Sequence, residues 1–298
     1  MSGKSEVFLE IGTAWDPPQH SAINAMTCDV EDYFQVSAFE GIVPRSAWSD
    51  IECRVARNVD RILEMYSEHG IKGTFFILGW VAEHYPEVVR RIADHGHEVA
   101  SHGIEHERIF TMTEDRFRLE ADRSRKLLED VSGQRVTGYR AASWSIDRRT
   151  PWVHRVLKET GYAYSSSIYP IAHDHYGVPN APTTPFYLRD LGFLEVPATA
   201  LSMFGRNWPA AGGGYFRLLP YPVSKWMFHQ AIRRSHAPGV FYYHPWEIDP
   251  DQPRVAGLSR KTRFRHYVNL SRFERRLNAM LGAFRWGRMD AIYLQAST

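Results

Sequence analysis

The chain has 298 residues, 44% of them hydrophobic and 23% charged, an ordinary globular composition with room for one large α/β domain. A formal net charge of +2 is too small to argue for nucleic acid or an anionic membrane as partner. No run of about 18 apolar residues is present, so no transmembrane segment is expected, and two cysteines, Cys28 and Cys53, are too few for a disulfide framework.

Residues 1–21 are polar and lack the apolar core of a signal peptide, which predicts a loose tail and a cytoplasmic protein. A first strand then runs into Asp29-Val30-Glu31-Asp32, three carboxylates within four positions. Carboxylates crowded at a strand end repel one another unless a cation or a shared proton relieves them. This stretch is therefore expected to form one wall of a metal site. Cys28, inside the strand, should point away from Asp29.

Helical periodicity begins at Val55 and continues through Val59, Ile62, Leu63 and Tyr66 to a stop at Gly70. An apolar run over 73–78 suits a buried parallel strand. Pro86 opens a second helix, 97–101 is a third strand, and Thr113 caps a long charged helix. Strands follow over 136–141 and 162–168, separated by a helix signalled by Thr150-Pro151. These βα units predict a parallel sheet with right-handed crossovers. Beyond them the pattern loosens. Residues 169–184 read as a loop, 193–197 as a strand, 212–214 as a flexible glycine turn, 222–235 as a helix and 239–244 as a strand. Ser271-Arg-Phe-Glu274 reads as a capping box opening a last helix.

The chemically capable side chains gather at the ends of these strands. Ser101-His102-Gly-Ile-Glu-His106 puts two histidines four apart where a strand stops, so both imidazoles can reach one cation. Two histidines and a carboxylate leave open positions on a divalent metal, as a catalytic site requires. Arg140 ends the fourth strand and could orient a carboxylate that does not bind the metal. His244 ends the strand Val-Phe-Tyr-Tyr-His and is a candidate general acid. Among the aromatic residues, Trp144, Trp246 and Tyr215 are candidates for sugar contact, since ring faces stack on pyranose C–H faces. Because the candidates all fall at strand C-terminal ends, a distorted, incomplete (β/α) barrel fits better than a doubly wound sheet.

The order Thr27-x-Asp29, Ser101-His102-x-x-x-His106, Arg140 and strand-borne His244 resembles carbohydrate esterase family 4, the NodB-homology polysaccharide deacetylases. The wordings Asp-Val-Glu-Asp-Tyr-Phe-Gln-Val and Tyr-His-Pro-Trp-Glu-Ile-Asp look like the subgroup encoded with exosortase-type (PEP-CTERM) exopolysaccharide loci, which carries a C-terminal extension. The resemblance implies metal-dependent removal of N-acetyl groups from an amino-sugar polysaccharide or its lipid-linked precursor. The metal would be divalent, most often Zn2+, and membrane-bound polysaccharide machinery at the inner membrane face would be a partner. Carried over, Asp29 is the general base, His102 and His106 are metal ligands, Arg140 tunes the base and His244 is the general acid. The implied organisation is a tail over 1–22, a single barrel domain over 23–285 whose part from about 170 is subgroup-specific, and a C-terminal tail over 286–298.

Two departures stand out. Position 30 is Val where the family motif has a second Asp, so the third ligand must be Glu31 or Asp32. Ser165 stands where the family has an Asp that supports the arginine or histidine. Three other activities compete: a small cyclic amide or imide hydrolase on the same fold, a glycan-binding component of a biosynthetic complex, and a retaining glycosidase. The last leaves both histidines unexplained.

Overall fold

A computed structural model describes residues 9–16, 23–174 and 176–294. Parts of the expected terminal tails, 1–8, 17–22 and 295–298, lie outside the described residues.

The first half alternates strand and helix: β1 (Ile11–Ala14), β2 (Ile23–Val30), α1 (Val55–Glu68), β3 (Thr74–Ile77), α2 (Gly79–His84), α3 (Pro86–Asp94), β4 (Glu98–Ser101), α4 (Glu114–Ser132), β5 (Gly138–Tyr139), α5 (Val153–Glu159) and β6 (Tyr164–Ser165). The second half contains β7 (Phe186–Leu188), β8 (Phe193–Glu195), β9 (Ala200–Met203), β10 (Arg206–Pro209), α6 (Gly213–Leu218), α7 (Tyr221–Ser235), β11 (Val240–Tyr243), α8 (Arg260–Tyr267), α9 (Leu270–Leu281), β12 (Arg285–Gly287) and α10 (Met289–Tyr293).

Ten of these strands form one sheet in the order β1-β7-β8-β6-β5-β4-β3-β2-β11, with β12 also paired to β2. All pairings from β8 through β6 to β11 are parallel, and β7 is antiparallel to both β1 and β8. The sheet curls without closing, which matches the expected distorted, incomplete barrel. β9 and β10 form a separate hairpin.

Strand alternation divides the core into two layers. Met26, Cys28 and Val30 of β2 face outward onto α1, whose Val55, Val59, Ile62 and Leu63 meet them. Ala25, Phe76, Ala100, Tyr164 and Leu194 face inward, where Met289, Ile292 and Tyr293 of α10 fill the concave side. The parallel register aligns the strand ends. Ile77 is opposite Ser101, Ser101 opposite Tyr139, Tyr139 opposite Ser165, and Tyr243 opposite Cys28. Residues just beyond these positions therefore converge on one edge of the sheet.

Several local expectations need correction. The expected N-terminal tail contains β1, which pairs with β7, and Trp15, which packs on Tyr293. The expected C-terminal tail contributes the end of β12 and all of α10. These elements are too short to show a period. The fourth and fifth strands shrink to two residues each, because their chain ends turn into the site loops. The Thr150-Pro151 helix begins only at Val153. Asn269, not Ser271, precedes the last long helix, and Glu274 pairs with Arg61 instead of closing a capping box.

Candidate active site

Strand β2 delivers two carboxylates with different surroundings. Thr27 and Asp29 share one face. Arg140, following β5, lies against both, donating from Nη1 to Asp29 Oδ1 at 2.6 Å and to Thr27 Oγ1 at 2.8 Å. Its other donors reach Ser166 O at 3.1 Å and Ser166 Oγ at 3.0 Å, and its guanidinium lies 4.0 Å from the Phe76 ring centroid. A fully buried arginine needs each of these partners, because desolvating an unpaired charge is costly. The Ser166 turn is itself held by Glu195, whose Oε1 accepts from Ser167 N and Ile168 N while Oε2 pairs with His154.

Glu31 lies one residue beyond β2 and turns toward the histidines. Its Oε2 is 2.8 Å from His106 Nε2 and 3.9 Å from His102 Nε2. One ligand atom from each of Glu31, His102 and His106 lies within 4.8 Å of the others. His102 Nδ1 is 2.8 Å from the Arg140 carbonyl, which can only accept, so Nδ1 carries the proton and Nε2 presents its lone pair to the cluster. His106 has φ of 54°, a left-handed conformation that non-glycine residues rarely adopt and that favours functional sites.

The donor set fits a divalent metal. Glu31 Oε2 and His106 Nδ1 are buried and lack a hydrogen-bond partner among the described residues. An orphaned carboxylate oxygen between two imidazoles is costly unless a cation completes it. Two histidines and one carboxylate suit zinc and its neighbours. Burial pushes the Glu31 carboxyl up, but the facing His106, His244 and His102 outweigh it and hold the group well below the usual carboxylate range. Burial depresses the His102 imidazole to about 4, against the opposing pull of Asp29.

His244, after β11, closes the cluster. Its Nε2 lies 3.7 Å from Glu31 Oε1, and its side chain is 21% exposed where the acidic residues are covered. Burial lowers its basicity, but Glu31 and Glu247 more than reverse this and raise it to about 9.

The comparisons with known proteins bear on this arrangement. Residues 48–165 match the family model described as polysaccharide deacetylase, and residues 166–294 match a domain of unknown function, DUF3473. The first of these segments is thus similar to polysaccharide deacetylases. A peptidoglycan deacetylase of Helicobacter pylori is 29% identical over 131 residues, covering 44% of this chain and 40% of the relative. The chain thus spans less than half the length of the curated relatives it matches. Among solved structures, a candidate polysaccharide deacetylase from Mycobacterium smegmatis has a TM-score of 0.61 at 23% identity, covering 95% of this chain and 93% of the other. Puue allantoinase has a TM-score of 0.56 at 14% identity, covering 93% and 91%. At these identities the two structures report on the fold alone.

The structure brings together Asp29, Arg140, Glu31, His102, His106 and His244. It separates Asp32. That carboxylate faces the start of α1, where it accepts from Tyr33 N at 2.7 Å, Val55 N at 2.9 Å and Arg54 N. The chain turns between Glu31 and Asp32, so alternation does not continue past Val30. Two of the aromatic candidates also differ from expectation. Trp246 is 5% exposed, donates to Glu31 Oε1 at 3.3 Å and stacks on His244 and His266. Trp144 is also buried, at 7% exposed, packing on Tyr169, Tyr242 and the Arg140 guanidinium. Neither indole has a free face for a sugar, whereas Tyr215 is half-buried at the edge of the same aromatic cluster.

Sequence reading missed Glu247, which touches His244, and Arg217, which touches Glu247. Glu247 Oε2 accepts from His244 N at 3.0 Å and lies 3.2 Å from His244 Nδ1, while Arg217 Nε donates to Glu247 Oε1 at 2.7 Å. Glu247 had a sequence signal, an acid three residues after a strand-end histidine with proline between them. Arg217 had none. Ser165 reaches Ser167 Oγ at 2.8 Å and so supports the Arg140 loop.

Proposed function

We propose that the protein is a metal-dependent deacetylase that hydrolyses N-acetyl groups of an amino-sugar glycan and releases acetate. The observation that carries this reading is the convergence of the Asp29–Arg140 pair, the Glu31–His102–His106 cluster and His244 on one edge of the sheet. Amide hydrolysis needs an attacking water, a place for the oxyanion and a proton for the departing amine.

Glu31, His102 and His106 would hold the cation, which supplies Lewis acidity toward the acetyl carbonyl and the attacking water. Asp29, held by Arg140, takes a proton from that water as the oxygen attacks the carbonyl carbon. His244 gives the proton on Nε2 to the amine nitrogen as the C–N bond breaks. Buried surroundings on the Asp29 side and partial exposure of His244 suit a substrate entering from the His244 side.

The finer assignments rest on residue wording around the site. Asp-Val-Glu-Asp-Tyr-Phe and Tyr-His-Pro-Trp-Glu support an exopolysaccharide, or its lipid-linked precursor, as the glycan. The imidazole-rich ligand set favours zinc. No helix among the described residues is long and apolar enough to cross a membrane.

Acetate release from N-acetylglucosamine oligomers, measured with metal content on the same preparation, tests the proposal. Asp29→Asn should lose about 10²–10⁴-fold in turnover while keeping its metal. Near-wild-type acetate release by Asp29→Asn would overturn the reading.

A further inference from the structure

We infer that Glu247, backed by Arg217, is the positioning residue for His244 and does the work that Ser165 is unable to do. The inference rests on the deacetylase reading for its catalytic consequence, but the geometry stands without it.

Glu247 is fully buried in the short 3-10 turn Pro245–Ile248 that follows β11. Three donors converge on its two oxygens. His244 contributes its backbone N–H and Nδ1 to Oε2, and Arg217 contributes Nε to Oε1. A carboxylate accepts and does not donate, so the proton of the imidazole facing it sits on Nδ1. The ring is therefore held with Nε2 toward Glu31, the side on which the amide must be cleaved.

Arg217 has the fixed geometry that such a support needs. Its Nη1 donates to His266 O at 2.6 Å and to Val268 O at 3.2 Å, anchoring the guanidinium to the chain before α9. The start of α6 is packed against the same carboxylate. A Cβ on Gly213 would lie 1.7 Å from Glu247 Oε2, so only glycine leaves the acid where it is. Ser165, by contrast, spends its hydroxyl on Ser167. Gly213 and Arg217 lie on α6 and Glu247 in the turn after β11, all within the 166–294 segment. One contribution of that segment to the site is thus the support of the proton donor.

Glu247→Gln tests the inference. Glutamine offers one acceptor oxygen where three donors converge. The permanent charge of Arg217 draws that oxygen, leaving an NH2 group against His244 and favouring the tautomer with a bare Nδ1. In 15N-histidine-labelled protein, with His244→Ala used for assignment, the wild type should show a protected Nδ1–H for His244 that Glu247→Gln lacks. Gly213→Ala, which displaces the carboxylate without removing a charge, should give the same loss.

Acetate release from N-acetylglucosamine oligomers should fall about 10- to 100-fold in kcat for both variants, with KM and metal content within about twofold. Hydrolysis of 4-nitrophenyl acetate, whose leaving group needs no proton, should fall at least tenfold less than amide hydrolysis. An unchanged Nδ1–H signal in Glu247→Gln, or equal losses on ester and amide, would overturn the inference. Wild-type protein that releases no acetate would overturn the deacetylase reading instead, and the tautomer measurement would still decide the role of Glu247.

Discussion

Arg140 Nη1 meets Asp29 Oδ1 at 2.6 Å, with the two side chains only 1% and 3% exposed. Removing one partner of a buried ion pair strands the other's charge. Arg140→Ala should therefore cost about 3–5 kcal/mol in denaturant unfolding. Arg140→Lys keeps the charge but loses the fork that reaches Thr27, Asp29 and Ser166 at once. It should be less destabilised than Arg140→Ala, yet still lose at least about tenfold in acetate release. Equal activity in the lysine variant and the wild type would show that charge alone holds Asp29.

Glu31 and Asp32 are neighbours with opposite environments. Glu31→Ala should release the metal. Asp32→Ala should keep it, because its carboxylate serves backbone N–H groups at the start of α1. The cost of Asp32→Ala is stability, about 1–3 kcal/mol for stranding those donors. Metal analysis and urea unfolding on the two variants separate the roles. Loss of metal from Asp32→Ala would reassign the third ligand.

Much of this arrangement was legible in the sequence, for identifiable reasons. Strands buried on both faces leave apolar runs, and Gly70, Pro86 and Gly96 punctuate the helices between them. His102 and His106 draw attention because they stand where such a run stops. The Glu31 or Asp32 alternative was not resolvable, since it depends on how the backbone turns after Val30. Trp246 shows a different limit. An indole near a catalytic histidine can line a cleft or brace the site, and residue type does not distinguish them. The roles of Arg217 and Glu195 depend on contacts across 30 and 28 positions, which no local pattern encodes.

Glu98 supplies a pH prediction away from the Glu31–His102–His106 cluster. It is fully buried at the opposite end of β4, where it accepts from Thr74 Oγ1, Tyr164 OH and Asp290 N. Burial, and then the nearby Asp290 charge, raise it from 4.5 to about 7. Between those values the folded chain holds a proton that the unfolded chain has released. Its contribution to stability is complete below pH about 4.5 and is lost as pH rises through about 7. The stability of wild type relative to Glu98→Gln should thus decline across this window, by up to about 3 kcal/mol. Urea midpoints at several pH values check this, and a difference that rises with pH would reverse the assignment.

The concave side of the sheet is closed by residues from both ends of the chain. Trp15 and Tyr293 meet with ring centroids 5.1 Å apart at 63°, and Trp15 Nε1 donates to Tyr293 O at 3.2 Å. Tyr293 also donates its hydroxyl to Pro238 O at 3.0 Å. Tyr293→Ala removes a buried ring and should cost about 3–5 kcal/mol. The Trp15 N–H bond goes to the backbone and survives that change, so the double variant with Trp15→Ala isolates the ring contact. A coupling of about 0.5–1.5 kcal/mol is expected from a double-mutant cycle. β12 pairs with Ile23, Asn24 and Ala25, at the far end of β2 from Asp29 and Glu31. Below its unfolding midpoint, Tyr293→Ala should therefore keep wild-type kcat while Tm falls. A kcat that drops along with Tm would mean that the plug and the catalytic edge move as one unit.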